Sequence, residues 1–275
     1  MHTSQPASEL AIDIRDATVL LDGQRVLDRF SWQVRRGEHW FILGPNGAGK
    51  TTLVRLLMGY LWPLFGATVR VLGKTYGECD LAEHRRKLAW VSPFLQGWVN
   101  PRTTVAEMVI SGADATIGLF REPRQSETGH AMELLTDLGC AGLAGHAFDQ
   151  LSSGEQVKTL IARALFGKPE LMILDEACVH LDLGSREHLL EAVGRLAAKR
   201  HAPTILYITH RLEEILPAFT HGLLLKQGRP VGCGLRQEML TRRHLAETYG
   251  VSLRLAATPD GRYWLLPHDA RAVEP

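Results

Sequence analysis

The feature that most constrains this chain is a glycine-rich segment between an apolar run, 40–43, and a helical pattern, 53–60. The segment reads Gly44-Pro45-Asn46-Gly47-Ala48-Gly49-Lys50-Thr51-Thr52 and fits the pattern G-x-x-x-x-G-K-[ST]. Glycines in such a turn let backbone N–H groups converge on phosphate oxygens, and the following helix adds its partial positive charge. We therefore predict a phosphate-binding loop, in which Lys50 reaches the β- and γ-phosphates and the Thr51 hydroxyl ligates Mg²⁺. A tight turn with an incidental lysine is the less favoured alternative.

A pair of carboxylates follows another apolar run. Residues 171–174 are hydrophobic and end at Asp175 and Glu176. The carboxyl end of a strand faces the ligand crevice of an open sheet, and successive side chains point in different directions, so two roles are natural. With a phosphate loop upstream, we expect Asp175 to hold Mg²⁺ and Glu176 to accept a hydrogen bond from the attacking water. Alternatively, both carboxylates are solvated residues that open a loop.

Strand-like and helical patterns alternate along most of the chain. They occur at 40–43, 53–60, 157–165, 171–174, 185–199 and 205–208. This alternation is typical of an α/β domain around a largely parallel sheet. The runs 10–19 and 26–34 flank a turn and predict an antiparallel hairpin before that sheet. The stretch 81–150 is more helical in pattern, and we interpret it as a helical subdomain inserted into the α/β core.

Composition excludes several classes of protein. Of the 275 residues, 45% are hydrophobic and 22% are charged, which is typical of a globular protein and argues against disorder. The net charge of +1 offers no broad electrostatic footprint for nucleic acid, so no nucleic-acid partner is expected. The four cysteines have no C-x-x-C spacing and are expected to be reduced. Because no run approaches the ~18 apolar residues of a membrane helix, we expect a soluble, cytoplasmic protein that acts on membranes only through a partner.

A third motif narrows the class. The segment Leu151-Ser152-Ser153-Gly154-Glu155-Gln156 precedes a helical pattern and the acidic strand. It resembles the signature Leu-Ser-Gly-Gly-Gln of the ABC ATPase family, and the order of phosphate loop, signature, acidic strand and strand-end His210 is also that of the family. Ser152 and Glu155 fit a capping box as well, which needs no ligand. The two interpretations are compatible, because a capped helix N-terminus is itself a phosphate site.

The resemblance covers residues 10–250 and implies an ABC-type P-loop ATPase domain, followed by a short C-terminal tail at 251–275. In the family, two subunits pair head to tail, and each ATP lies between one phosphate loop and the other signature. The resemblance implies that Ser152, Ser153, Gly154 and Glu155 contact nucleotide held by the partner. It also implies that Asp182 belongs to the loop that communicates across the dimer, and that His210 contacts the γ-phosphate. The stretches 32–52 and 110–119 resemble a branch of solitary, uncharacterised ATPases related to molybdate-associated ones.

Three features depart from the family pattern. The aromatic residue that covers adenine in the family is replaced by Leu21, which lacks the π-contact. In the signature, Ser153 replaces a glycine and Glu155 replaces a glutamine. The family's glutamine after the strand 88–91 aligns with Pro93, which has no side-chain ligand, and Gln96 stands three residues later. Gln96 is either a metal ligand or a solvated loop residue, and both alternatives stay open.

The resemblance therefore predicts the ATP-binding and hydrolysing subunit of an ABC transporter, with ATP and Mg²⁺ as cofactors. Its partners would be a second copy of the chain and a membrane permease, on the inner face of the cell membrane. The permease would dock near 97–119, with Trp98 and Phe120 as candidate anchors. A non-transport ABC ATPase in DNA maintenance or regulation is the alternative, but such proteins tend to have long coiled coils, two cassettes or basic faces. An ATP-binding module without turnover is a third possibility. The molybdate-like resemblance favours uptake of an oxyanion or a metal complex.

Overall fold

The computed structural model describes residues 9–267, except for the side chains of residues 96 and 267. Its contacts divide the chain into two units. The first unit contains the described residues up to Cys79 and those from Thr204 onward, and the second runs from Asp80 to Pro203. The insert at 81–150 and the tail at 251–275 stay predictions.

The elements follow one another in the mixed order expected of an α/β protein. The strands are β1 (Leu10–Leu21), β2 (Gln24–Arg35), β3 (Trp40–Leu43), β4 (Thr68–Val71), β5 (Lys74–Thr75), β6 (Leu88–Val91), β7 (Leu171–Asp175), β8 (Thr204–Thr209), β9 (His221–Lys226), β10 (Arg229–Leu235), β11 (Leu253–Ala257) and β12 (Tyr263–Pro267). The helices are α1 (Lys50–Leu57), α2 (Leu81–Arg85), α3 (Val105–Ile110), α4 (Gln125–Asp137), α5 (Ser153–Phe166), α6 (Leu183–Ala197), α7 (Arg236–Met239) and α8 (Arg242–Tyr249). None of the helices in the described part of the chain is both long and apolar enough to cross a bilayer.

An antiparallel sheet in the first unit confirms the predicted hairpin. β1 pairs with β2 through a turn at Asp22 and Gly23, which both have positive φ, and β4 and β5 extend the other side of β1. Ile12 and Ile14 of β1 and Phe30 of β2 are fully buried, so one face of this sheet belongs to the core. The other face carries polar residues such as Asp13, Gln33 and Arg70, which are paired with one another in neighbouring strands.

Parallel strands form the second sheet layer of the first unit. β3 pairs in parallel with both β8 and β9, and β10 runs antiparallel beside β9. Every residue of β3 and β8 is buried, because parallel strands are covered on both faces. Leu43 is paired with Thr209. The segments that follow β3 and β8 therefore leave the sheet at the same carboxyl end.

The second unit contains one pair of parallel strands and several helices. β6 pairs in parallel with β7, with Val91 beside Leu174, and α3, α4 and α5 pack against one another. Residues 93–98, expected as a loop, form a short 3-10 helix. The acidic pair and the segment that begins at Pro93 consequently follow two neighbouring strands at the same, carboxyl end of this strand pair.

Several helix boundaries differ from those that the sequence pattern predicts. α1 ends before Tyr60, which is exposed, because Gly59 adopts φ 67° and the Tyr60 N–H bonds back to Arg55, a glycine-terminated helix end. α4 begins at Gln125, since Glu127 accepts a hydrogen bond from the Arg124 N–H at 2.8 Å and caps the first turn. The tail forms the β11–β12 hairpin, where the Arg236 guanidinium lies over the Tyr263 ring and donates to the Gly261 carbonyl.

Candidate functional site

The phosphate loop connects β3 to α1 and needs glycine at several positions. Gly47 and Gly49 have φ of 76° and 104°, which a residue with a Cβ adopts only under strain. Gly44 lies so near β9 that a Cβ atom there would be 2.3 Å from the Leu225 carbonyl oxygen. Gly49 provides no side-chain cap for α1. A helix N-terminus that follows a glycine-rich loop and has no side-chain cap is typical of anion-binding sites.

Lys50 is buried at the base of this loop, with only 6% of its surface exposed. Its Nζ donates hydrogen bonds to the carbonyl oxygens of Gly44 at 2.9 Å and Pro45 at 3.1 Å. A buried ammonium is costly unless it is hydrogen-bonded, and here two backbone carbonyls of the loop itself hold it. The next residue, Thr51, is exposed in the first turn of α1, whereas Thr52 is buried.

The β9–β10 turn supports the phosphate loop, and sequence reasoning missed this contact. The Gly228 N–H donates to the Ala48 carbonyl at 2.9 Å, and the Gly228 carbonyl accepts from the Asp28 N–H at 3.1 Å. A Cβ atom on Gly228 would lie 2.1 Å from the Val26 carbonyl oxygen. The only signal in the sequence is a glycine between two apolar runs, which indicates a hairpin turn but not its neighbour.

His210 lies at the same end of the parallel sheet as the phosphate loop. It directly follows Thr209, which is paired with Leu43, whereas Gly44 directly follows Leu43. The His210 side chain is partly exposed, and its carbonyl oxygen accepts a hydrogen bond from the Tyr249 hydroxyl of α8 at 3.3 Å. The structure thus brings together the phosphate loop and the histidine that the sequence singled out. Leu21, at the end of β1, is half-buried.

The two carboxylates stand at the end of β7, in the second unit. Asp175 is the buried last residue of the strand, and Glu176 follows it with φ 51°. A positive φ is uncommon for residues with a side chain, and such residues cluster at functional sites. Pro93 follows the neighbouring strand β6 after one residue. The backbone of Gln96 lies in the 3-10 helix 93–98, but its side chain falls outside the described part of the structure.

The signature segment is the start of α5, and the predicted capping box is present. Ser152 is the N-cap, and Oε2 of Glu155 accepts hydrogen bonds from the Ser152 N–H at 2.9 Å and from its hydroxyl at 2.7 Å. These hydrogen bonds, led by that of the hydroxyl, lower the pKa of Glu155. Ser153, Gly154 and Glu155 form the first turn of the helix. The carboxylate that replaces the family's glutamine is therefore bonded to its own helix.

The Asp182 segment adjoins the signature within the second unit. Asp182 is the N-cap of α6 and accepts hydrogen bonds from the Ser185 N–H at 2.9 Å and hydroxyl at 2.6 Å, which lower the pKa of Asp182. A Cβ atom on Gly154 would lie 3.1 Å from the Ser185 Cβ. This cap starts α6 at Leu183, two residues earlier than its sequence pattern predicts. It also places the helix starts of α5 and α6 side by side.

Comparisons with known proteins agree with the motifs. Residues 27–179 match the model of the family described as ABC transporter. The chain is 40% identical over 252 residues to the uncharacterized ABC transporter ATP-binding protein YlmA of Bacillus subtilis, covering 91% of this chain and 95% of that protein. It is 31% identical to the ABC transporter ATP-binding protein ModF of Escherichia coli, over 79% of this chain and 45% of ModF. It is 29% identical to the manganese transport system ATP-binding protein MntB of Bacillus subtilis, over 87% of this chain and 92% of MntB.

Solved structures share the fold. The structure of cbiO1 from Clostridium perfringens, part of the ABC transporter complex cbiONQ, superposes with a TM-score of 0.74 at 21% identity, covering 87% of this chain and 94% of that chain. The α/β P-loop fold predicted from the motifs is thereby confirmed. The family model spans more than half of the 275 residues, and the likeness to YlmA spans nearly all of them. This chain belongs to the ABC transporter family, as one of its ATP-binding proteins and a P-loop ATPase.

Proposed function

We propose that this chain is the ATP-hydrolysing subunit of an ABC transporter, working as a head-to-tail homodimer on a separate membrane permease. The observation that carries the proposal is the preorganised phosphate loop, in which two loop carbonyls hold the buried Lys50 ammonium. A charge held in place before the ligand arrives needs little rearrangement when phosphate binds. Membership of the family supports the same conclusion.

The loop 44–52 would bind the phosphates of ATP, and Thr51 and Asp175 would supply oxygen ligands to Mg²⁺. Within residues 9–267, no group of three or more His, Cys, Asp or Glu side chains could hold a metal ion. This suits Mg²⁺, because the ion binds one or two carboxylates and takes its other ligands from substrate phosphates and water. When bound, the ion would neutralise the charge of the phosphates. Gln96 remains a candidate additional ligand.

Hydrolysis would depend on Glu176 and His210. Glu176 would accept a proton from the attacking water, a role for which a carboxylate is suited. His210 would donate a hydrogen bond to the γ-phosphate, and its place beside the phosphate loop at the carboxyl end of the parallel sheet supports this role.

The signature residues Ser152, Ser153, Gly154 and Glu155 would face ATP bound to the partner protomer. Two contacts support this assignment. The carboxylate of Glu155 is bonded to its own helix N-terminus, and Gly154 lies close to the Ser185 Cβ on α6. Asp182, which caps α6, would then transmit the state of one site to the other across the dimer.

The permease would dock against the exposed aromatic side chains of the second unit. Trp98 and Phe120 have 64% and 85% of their surface exposed, and Phe94 contacts Trp98 edge to face with 5.5 Å between ring centroids. Exposed aromatic residues are enriched at protein interfaces. The working location would then be the cytoplasmic face of the cell membrane. The likeness to MntB supports a metal ion or complex as the transported substrate. An oxyanion stays the alternative prediction.

Two variants test the proposal. Lys50→Ala should lose tight ATP binding in a titration, because the phosphates lose their main counter-charge. Glu176→Gln should still bind MgATP but turn it over very slowly, since the amide keeps the shape without accepting the proton. MgATP should then accumulate a dimer that light scattering detects. Near-normal turnover by Glu176→Gln would remove it from the role of base, and undiminished binding by Lys50→Ala would remove Lys50 from the site.

A further inference from the structure

A buried carboxyl group lies behind the His210 segment and has no part in the roles assigned above. Glu214 ends the short 3-10 helix Leu212–Glu214 and has only 3% of its surface exposed. Burial raises the pKa of Glu214, and hydrogen bonds from the hydroxyls of Thr209 and Tyr207 oppose that shift. A carboxyl group is rarely buried so deeply unless hydrogen bonds hold it. The residues that donate hydrogen bonds to Glu214 therefore indicate the role of this carboxyl group.

The hydrogen bonds of Glu214 connect it to the two residues on either side of His210. The Thr209 hydroxyl donates to Oε2 of Glu214 at 2.6 Å, and the same hydroxyl accepts from the Arg211 N–H at 3.0 Å. Thr209 and Arg211 are the residues on either side of His210. Because a hydroxyl has one proton, its donation to Glu214 orients its lone pairs towards the Arg211 N–H. The carboxylate thus fixes the backbone on both sides of the histidine.

Three further contacts hold this arrangement in place. The Tyr207 hydroxyl donates to the same Oε2 atom at 3.1 Å, and the Tyr207 ring stacks on Phe219 with 5.1 Å between centroids. The Tyr249 hydroxyl bonds the His210 carbonyl oxygen from the opposite element, α8. The backbone of His210 is therefore held by a side-chain network and by a separate helix, whereas its side chain is left partly exposed.

We propose that Glu214 is a positioning residue for His210, which it holds towards the phosphate loop by bonding the Thr209 hydroxyl. This inference rests on the proposed function, in which His210 contacts the γ-phosphate. A hydrogen bond to the reacting phosphate is effective only when its donor is held to within a fraction of an ångström. Glu214 supplies that constraint without touching the nucleotide.

The decisive comparison is between Thr209→Val and Thr209→Ser. Valine keeps the volume of threonine but removes the group that links Glu214 to Arg211, and serine restores that group. We expect Thr209→Val to lower kcat about tenfold with KM changed less than about twofold, because the lost constraint acts mainly in the transition state. Thr209→Ser should recover at least about half of the wild-type kcat.

Glu214 itself is tested by Glu214→Gln and Glu214→Ala. The glutamine amide oxygen can still accept both hydroxyl protons, so we expect kcat within about threefold of the wild type. Alanine removes the acceptor, and kcat should fall at least about tenfold. Tyr249→Phe removes only the hydroxyl on the His210 carbonyl and provides a second, conservative perturbation of the same backbone. A smaller fall in kcat is expected for it, again at nearly constant KM.

Thr204→Val is the matched control, since it makes the same substitution at the other end of β8. The Thr204 hydroxyl is buried and accepts a hydrogen bond from the Gly37 N–H at 2.9 Å. This variant should lose a similar amount of thermal stability to Thr209→Val yet keep kcat within about twofold of the wild type. If stability alone governed turnover, the two valine variants would be equally slow, which would overturn the inference.

His210→Ala separates this inference from the proposed function. Slow turnover by His210→Ala together with a fully active Thr209→Val would overturn the positioning role alone. Normal turnover by His210→Ala would overturn the role of His210 and the positioning role with it. Slow turnover by His210→Ala, Thr209→Val and Glu214→Ala, with recovery in Thr209→Ser and Glu214→Gln, is the result that supports the proposal.

Discussion

Replacing Gly44 by alanine should damage nucleotide binding, because the added methyl group has no room behind the phosphate loop. A Cβ atom at this position would lie 2.3 Å from the Leu225 carbonyl oxygen and 3.2 Å from the Ala48 Cβ. Leu225 is in β9, which is paired with β3 on one side and with β10 on the other. The strand therefore cannot yield easily, and the loop must move instead.

The size of the required movement follows from the contact distance. Cβ atoms essentially never approach another heavy atom closer than 3.0 Å, so the loop must shift by about 0.7 Å or more. That shift also moves the Gly44 carbonyl, which accepts a hydrogen bond from Lys50 Nζ. A misplacement of about 1 Å in a positioning group can lower a reaction rate by up to ~100-fold. We expect the ATP affinity of Gly44→Ala to fall by a comparable factor, about 10- to 100-fold. Overpacking should also lower the free energy of unfolding by about 1–3 kcal/mol.

Titration calorimetry with MgATP and thermal denaturation would measure the two effects of Gly44→Ala. Gly129→Ala is the control, because a Cβ atom on Gly129, within α4, has no heavy atom within 4 Å outside its own helix backbone and its chain neighbours. That variant should bind ATP normally and gain about 0.5–1 kcal/mol of stability, since alanine favours a helix more than glycine does. Wild-type ATP affinity in Gly44→Ala would refute the close-approach argument.

Three further predictions concern the departures from the family pattern. Glu155→Ala should lower the free energy of unfolding by about 1 kcal/mol at neutral pH. Because folding lowers the pKa of Glu155, this stability difference from the wild type, measured by urea titration, should vanish as the pH falls through the pKa of Glu155 in the folded protein. With Leu21 in place of an aromatic residue, GTP should support phosphate release within about tenfold of ATP, since one stack is worth ~1 kcal/mol, and a strict ATP preference would contradict this. Gln96→Ala should cut kcat at least about tenfold at nearly constant KM, whereas Pro93→Ala should leave the chemical step largely intact; the reverse result would mean that this segment acts by shape alone.

Much of the fold can be predicted from local sequence patterns. β3 and β8 are continuous apolar runs, and every residue in both is buried, so their sequence alone predicts strands covered on both faces. The first hairpin is likewise predicted by its turn residues. The helix ends are less predictable. α1 ends just before Gly59, which has a left-handed conformation, and α4 begins at a cap formed by Glu127. The spacing of the apolar residues alone does not give either boundary.

The candidate site likewise has a part that the sequence predicts and a part that it does not. The phosphate loop, the acidic pair and the signature are contiguous motifs, and sequence alone predicts their residues. The contacts that hold them come from distant parts of the chain. Gly228 bonds Ala48, Tyr249 bonds the His210 carbonyl, and the carbonyl of Leu225 excludes a side chain at Gly44. No local pattern identifies these partners, since only the topology of the parallel sheet brings them together.

The signature shows how one residue can satisfy a structural and a functional pattern at once. Glu155 occupies the position of the family's glutamine, and its carboxylate accepts both the N–H and the hydroxyl proton of Ser152. A serine hydroxyl has one proton to donate, so Ser152 cannot donate to Glu155 and to a phosphate oxygen at the same time. In the proposed dimer, closure on ATP would therefore replace the hydrogen bond from the Ser152 hydroxyl to Glu155 by one from that hydroxyl to the nucleotide. The Ser152 N–H would stay with Glu155 and keep its carboxylate on its own helix, which makes an acidic residue compatible with a phosphate-binding surface.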